Sequence, residues 1–201
     1  MHGSSPGQEA ALDPLVPAWR PRAGARDEAS LIRQARDGSA DAVESLVRRH
    51  WDGAHRAAYL IVHDAAAAED IAQEAMLAAV RAIDSFDRRR PFRPWLHRIV
   101  VNRSLDLLRA RARRPEVSAD HEPPAEAAGT ARDDRLSDEL VAALGQLEPA
   151  DRALVVLRHL LGYRASELAR MLDMPAATVR TRLARALARL RAQLETEEEQ
   201  G

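Results

Sequence analysis

The densest set of groups able to bond a polyanion lies near the C-terminus, in Thr178-Val179-Arg180-Thr181-Arg182-Leu183-Ala184-Arg185. Arginine presents a planar fork of donors that matches phosphate oxygens and the O6/N7 edge of guanine, and threonine adds a short hydroxyl. That chemistry is recognition of nucleic acid by hydrogen bonding. Covalent chemistry has no comparable set. The chain contains no Cys, which excludes disulfides, thiolate nucleophiles and zinc-thiolate sites. No P-loop, nucleophile elbow or paired-carboxylate site occurs. His50, His55 and His63, with Asp52 and Asp64, have no recognised ligand spacing and spread over different faces of one helix. They read as ordinary surface or boundary residues, so no metal, cofactor or catalytic residue is expected.

The arginines need a rigid element to aim them. Tyr163 to Leu183 reads as a short helix, a tight break at Asp173-Met174-Pro175, and a second helix whose opening turns hold small, polar and Arg residues. Leu168, Leu172, Val179 and Leu183 would bury the inner faces, and Ala169 is small enough to let the two helices cross closely. Thr178, Arg180, Thr181, Ala184 and Arg185 would then face outward, as the recognition helix of a helix-turn-helix does in the major groove.

Charge distribution supports two contacts with one polyanion. The formal net charge is -1, and every basic residue is Arg. Ten Arg and one acid, Asp106, lie between Arg88 and Arg114, and eight Arg lie between Arg158 and Arg191 against only Glu167 and Asp173. Between these basic stretches, Pro115 to Asp134 carries six acids against Arg132 alone. Two separated basic helical segments suit two grips on DNA.

Composition and periodicity give the fold class. Hydrophobic residues make up 46% of the chain and aromatics only 3%, with abundant Ala, Leu, Arg and Glu, which favours an all-α protein. Residues 1–28 lack a sustained apolar period and read as a disordered N-terminal extension; Leu15, Val16 and Trp19 are its one candidate partner-binding segment. A first unit over 29–113 holds four helices. The first carries Leu31, Ile32 and Ala35 and stops at Gly38; the second is capped by Ser39 and runs through Ala42, Leu46, Trp51, Ala58 and Ile61. The third, roughly Ala65 to Ile83, turns Ile71, Ala75, either Leu77 or Ala78, and Ile83 inward. The fourth starts near Pro94 and ends near Arg113. Residues 114–135, with Pro123-Pro124 and Gly129, read as a flexible linker. A second unit over 136–195 follows, with a Leu140, Val141, Leu144, Leu147 stripe, a helix from Pro149 stopped by Gly162, and the helix-turn-helix. Residues 196–201 read as an acidic, solvated tail. The expected architecture is two small helical domains on a flexible joint. No apolar run is long enough to cross a bilayer and no signal peptide opens the chain, so a cytoplasmic protein is expected.

Three stretches together resemble bacterial sigma-70 factors of the extracytoplasmic-function (ECF) group. Tyr-x-x-x-Glu-Leu-Ala at 163–169, Pro175, Thr178 to Arg182 and Arg185 resemble region 4, which reads the minus-35 promoter element. The resemblance therefore assigns Thr178, Arg180, Thr181, Arg182, Ala184 and Arg185 to duplex DNA. It departs from the family at Ala184, where an aromatic can occur, and at Leu187, where another Arg is common.

Ala68-Glu69-Asp70-Ile71-Ala72-Gln73-Glu74-Ala75-Met76 resembles region 2.2, and implies that Glu69, Asp70, Gln73 and Glu74 dock the clamp helices of the polymerase largest subunit. Met76 and Val80 replace aromatics there. Phe86 and Phe92 to Arg109 resemble regions 2.3 and 2.4. The resemblance implies a minus-10 face of Trp95, Arg98, Asn102, Arg109 and Arg113, a pocket for a flipped base at Asn102 and the loop from about Asp87 to Arg93, and Leu96, Ile99, Val100 and Leu107 facing the core.

The implied function is that of a sigma factor: it binds core RNA polymerase at the clamp helices and flap region, recognises promoter DNA, helps open it, and is itself no enzyme. An anti-sigma protein is a further possible partner. The rival readings are a standalone helix-turn-helix regulator and a sigma-mimicking interaction protein.

Overall fold

The computed structural model describes residues 25–113 and 136–198. The N-terminal segment to residue 24, the linker read over 114–135 and the last three residues lie outside it. All regular structure among the described residues is helical.

Local signals account for most helix ends. α1 (Ala25–Arg36) starts before Ser30, inside the stretch expected to be disordered, with Asp27 and Glu28 in its first turn. Those carboxylates favour a helix N-terminus, and Glu28 is pinned at 2.9 Å to His50 of the next helix. Gly38, at φ 88°, makes the break, where a Cβ would be strained. α2 (Ala40–Val62) is capped by Ser39, whose hydroxyl accepts from the Ala42 amide. His63 ends α2 in the left-handed region at φ 55°.

Asp64 then caps α3 (Ala65–Arg81), accepting from the Ala67 amide at 2.9 Å. Its second oxygen holds Arg111 of α4 at 2.7 Å, so one side chain both starts α3 and ties down the far end of the fourth helix. A 3-10 turn over Ile83–Ser85 leads out. α4 (Phe92–Ala112) has Pro94 in its first turn, where the missing amide costs nothing. Phe86, Phe92 and Trp95 pack as a triad with centroids 4.9 to 5.5 Å apart.

In the second unit, Ser137 caps α5 (Asp138–Gly145). α6 (Pro149–Val155) passes into a π-helical turn over Val156–Leu160, and Gly162 at φ 75° stops it. α7 (Ala165–Met171) and α8 (Ala176–Glu198) form the helix-turn-helix. α8 therefore extends three residues beyond the expected end at Glu195.

The two units are not held apart. α2 packs on α1, α3 and α4, while α6 packs on α8 and also on α2 and α4. One continuous core runs through both, from Leu60, Ile61, Leu96 and Val100 to Leu154, Leu157, Leu168 and Val179. The two expected helical domains are present, and they pack on each other.

Candidate nucleic-acid and polymerase interfaces

The recognition helix is aimed by its buried side. Leu168 and Val179 are fully buried, Leu183 nearly so, and Leu172 packs against them from the turn. Asp173 takes φ 53° at that turn, a conformation a short polar side chain tolerates better than most. Outward, Thr178, Arg180, Thr181, Ala184 and Arg185 are all exposed, and Thr181 donates its hydroxyl to Ala177 O at 3.0 Å.

Arg182 stands apart from that set. Its Nε bonds Asp151 Oδ1 at 2.6 Å, with the carboxylate 9% exposed. One position along from the exposed face, the guanidinium turns inward and neutralises a buried acid of α6. Its evident task is to hold α8 on α6.

The fourth helix presents a second face. Arg98, Asn102, Arg109 and Arg113 are exposed, recurring close to every fourth residue. Asp106 lies on the same face and pairs with Arg109 at 2.8 Å, so part of the positive charge is internally offset. Trp95 is half-buried, one side in the aromatic triad and the other lining a cavity of about 540 Å³ that it shares with Arg98. The buried arc of α4 is wider than the expected Leu96, Ile99, Val100 and Leu107: it includes His97, Val101 and Ser104, while Ile99 and Leu107 are only partly covered.

On α3, Glu69, Asp70, Gln73 and Glu74 are exposed together, over the buried Ile71, Ala72, Ala75 and Met76. Glu74 is paired with Arg103 of α4. Of the two residues expected to turn inward, Leu77 is 48% exposed and Ala78 is half-buried. Leu77 lies one turn beyond Gln73 and so falls on the acidic face.

Four residues with no joining role expected from the sequence, Arg93 of the expected base-pocket loop among them, link the two units. The Tyr163 hydroxyl and His97 Nδ1 share a 2.9 Å hydrogen bond, with their rings edge to face at 5.7 Å. Arg93 lies 5.1 Å above the Tyr163 ring and donates to Leu161 O at 3.1 Å. Arg152 donates to Ile61 O and Gly145 O at 2.6 Å each, and to Leu147 O at 3.1 Å. It thus satisfies carbonyls at the C-terminal ends of α2 and α5 that have no partner within their helices.

Burial and then the nearby Arg93 charge push His97 down to about 3. Burial and the Arg152 charge push His63 down to about 4, and burial raises the Tyr163 hydroxyl above its usual range. Both histidines are therefore neutral in the closed pair. The sequence carries no signal for these contacts: that α4 is buried at 96, 97, 100, 101 and 104 is visible only in the packed structure.

Comparison with known proteins settles the family. Residues 46–114 match the family model for sigma-70 region 2, and residues 137–190 match that for sigma-70 region 4. The chain belongs to the sigma-70 family, in its ECF group. It is 38% identical over 165 residues to the ECF RNA polymerase sigma factor SigM of Mycobacterium tuberculosis, covering 82% of this chain and 83% of that protein. It is 32% identical to SigW of Bacillus subtilis, over 81% of this chain and 94% of SigW.

Among solved structures, that of CnrH in complex with the cytosolic domain of CnrY aligns with a TM-score of 0.64 and 32% identity. The alignment covers 84% of this chain and 97% of CnrH. RpoE from Bartonella quintana, solved with the anti-sigma factor NepR, shares the fold at a TM-score of 0.64 and 22% identity, over 76% of this chain and 96% of RpoE. The chain is thus an RNA polymerase sigma factor, a class of non-catalytic initiation factors. No described helix is long and apolar enough to cross a membrane.

Proposed function

We propose that this sigma factor works by three exposed faces on one helical scaffold. Glu69, Asp70, Gln73 and Glu74 dock the clamp helices of core RNA polymerase, and the second unit meets the flap region. Arg98, Asn102, Arg109 and Arg113, with Trp95, hold the non-template minus-10 strand, in the way that a cationic track with an aromatic edge holds unpaired bases. Thr178, Arg180, Thr181, Ala184 and Arg185 read the minus-35 duplex. Arg182 is left out of the reading set because Asp151 engages it.

The observation that carries this reading is the outward row on α8, with Val179 and Leu183 buried beneath it. It gives the helix one possible DNA-facing side. The sigma factor contributes binding energy and strand separation, and polymerase supplies the chemistry, so no catalytic residue or cofactor is needed. The site of action is the cytoplasm, where polymerase and DNA are. A standalone regulator would bind duplex without polymerase, and a mimic would initiate nothing.

Run-off transcription with core polymerase on a genomic fragment library, followed by 5′-end sequencing, tests the proposal. Transcripts should share two upstream elements and depend on this chain. Initiation no greater than with core alone would overturn it.

A further inference from the structure

The cations of α8 continue past the row assigned to base reading. Arg189 and Arg191 are both exposed, and neither has an ion-pair partner among the described residues. We propose that these two arginines grip the two phosphate backbones that wall the major groove, one strand each, and so add sequence-independent affinity to the minus-35 contact. The inference rests on the assignment of the α8 face under Proposed function.

Helical geometry separates their task from that of the base-reading set. Val179, Leu183, Ala186 and Leu190 are the buried side of α8, and Thr181 points directly away from them. At about 100° per residue, Arg189 and Arg191 stand about 80° to either side of Thr181. Arg189 continues the edge begun by Arg185, and Arg191 the edge begun by Arg180. Between these edges the outward surface carries only Ala184, Ala188 and Ala192 after Thr181, all exposed. Methyl groups there let the helix sit deep. A helix about 10–12 Å across fills a major groove about 12 Å wide, so side chains on its two edges meet the groove walls and not its floor. Both arginines also lie about 12–15 Å beyond Thr181 along the axis, past the N-terminal turns that a recognition helix lays on base edges.

The charge pattern asks for a polyanion. No acid occurs on α8 between Ala176 and Leu194, and Arg185 and Arg189, one turn apart, repel each other. Arginines exposed on other helices are satisfied within the chain: Arg48 by Glu44, Arg103 by Glu74 and Arg109 by Asp106. Phosphates on both strands would relieve the repulsion along α8 and release condensed counterions.

Fluorescence anisotropy of the full chain tests the proposal, using duplexes of about 20 base pairs, two helical turns. One duplex carries the minus-35 element mapped by 5′-end sequencing, and the other carries it scrambled. Binding is titrated between about 50 and 200 mM salt. Arg189→Ala and Arg191→Ala should each lower the salt slope by about 0.9 and weaken binding about fivefold to tenfold near 0.1 M salt, equally on both duplexes. Arg189→Lys and Arg191→Lys keep a point charge and should keep the slope. Neutral methylphosphonates along one strand should abolish the effect of one Ala variant and leave the other intact, with the reverse on the second strand. Circular dichroism should show unchanged helix content, because Ala is the strongest helix former.

An unchanged slope in both Ala variants overturns the proposal, and so does a loss confined to the duplex with the intact element. Dependence of both variants on the same strand overturns the two-sided grip. A slope that falls as expected, with Arg180→Ala and Arg185→Ala binding the two duplexes as the unaltered chain does, would support the grip and overturn the minus-35 reading instead.

Discussion

Replacing Arg152 with Ala tests the physical account of the joint most severely. The guanidinium uses two nitrogens to satisfy three carbonyls: Nη1 bonds Ile61 O at 2.6 Å, and Nη2 bonds Gly145 O at 2.6 Å and Leu147 O at 3.1 Å. The residue is 7% exposed, so water does not replace those bonds freely. Hydrogen bonds to a charged donor contribute about 1.5–3 kcal/mol each, and an orphaned buried acceptor costs about 1–3 kcal/mol. The three bonds share one side chain and do not add, and the desolvation of the cation is recovered on deletion.

The expected loss is about 3–5 kcal/mol, a large share of the roughly 5–15 kcal/mol that holds a domain folded. Arg152→Lys should recover only part of it, because a compact ammonium lacks the planar fork. Urea unfolding followed by far-UV circular dichroism measures the loss. A change below about 1 kcal/mol, the size of an ordinary point substitution, would refute the reasoning. A second readout is independent of global stability: His63, now pushed down to about 4 by burial and the Arg152 charge, should titrate higher in the Ala variant by NMR.

Other expectations follow from the same geometry. Arg180→Ala or Arg185→Ala should weaken minus-35 duplex binding by about 1–3 kcal/mol where the side chain forks onto guanine; Arg182→Ala should instead lower stability, because it strands the buried Asp151 carboxylate. Fluorescence anisotropy and thermal melts separate the two effects. Asn102→Ala should leave minus-35 duplex binding intact while reducing strand opening at mapped promoters, read by permanganate reactivity of unpaired thymines.

Acid should destabilise the closed chain. His97 and His63 titrate near 3 and 4 when folded against about 6.5 when unfolded, so the unfolded chain binds more protons between these limits. Their contribution is complete above about pH 6.5 and is lost as pH falls toward those folded values. The charged neighbours, Arg93 at His97 and Arg152 at His63, oppose protonation and reinforce this sign. Glu28, held below the usual carboxylate range by its bond to His50, adds a loss at still lower pH. Melting temperatures should drop between pH 7 and pH 5; a flat profile would contradict the burial argument.

Helix limits, capping and the outward row of α8 were legible because they depend on neighbours in sequence. Ser39, Pro94, Gly38 and Gly162 act within one turn of themselves, and an apolar period of about 3.6 residues fixes which side of α8 is buried whatever it is buried against. The same rule placed Glu69, Asp70, Gln73 and Glu74 on one exposed side. It blurred at the edges of the stripes. Leu77, one turn from Gln73, went outward, and Arg182, beside Val179 and Leu183, went inward, because an edge position is decided by the partner helix and not by its own helix.

The tertiary structure alone decided that the two units close on each other. Nothing in the period of α4 says that His97 meets a tyrosine 66 residues away, and nothing near Arg152 says that it caps a helix 91 residues earlier. Local propensity is set by the backbone within a turn or two, whereas such bonds exist only after both units have packed and excluded water from the carbonyls between them. The sequence determined which side of each helix faces outward; packing determined that the end of α7 and its turn close beside Trp95 and Arg98 of α4.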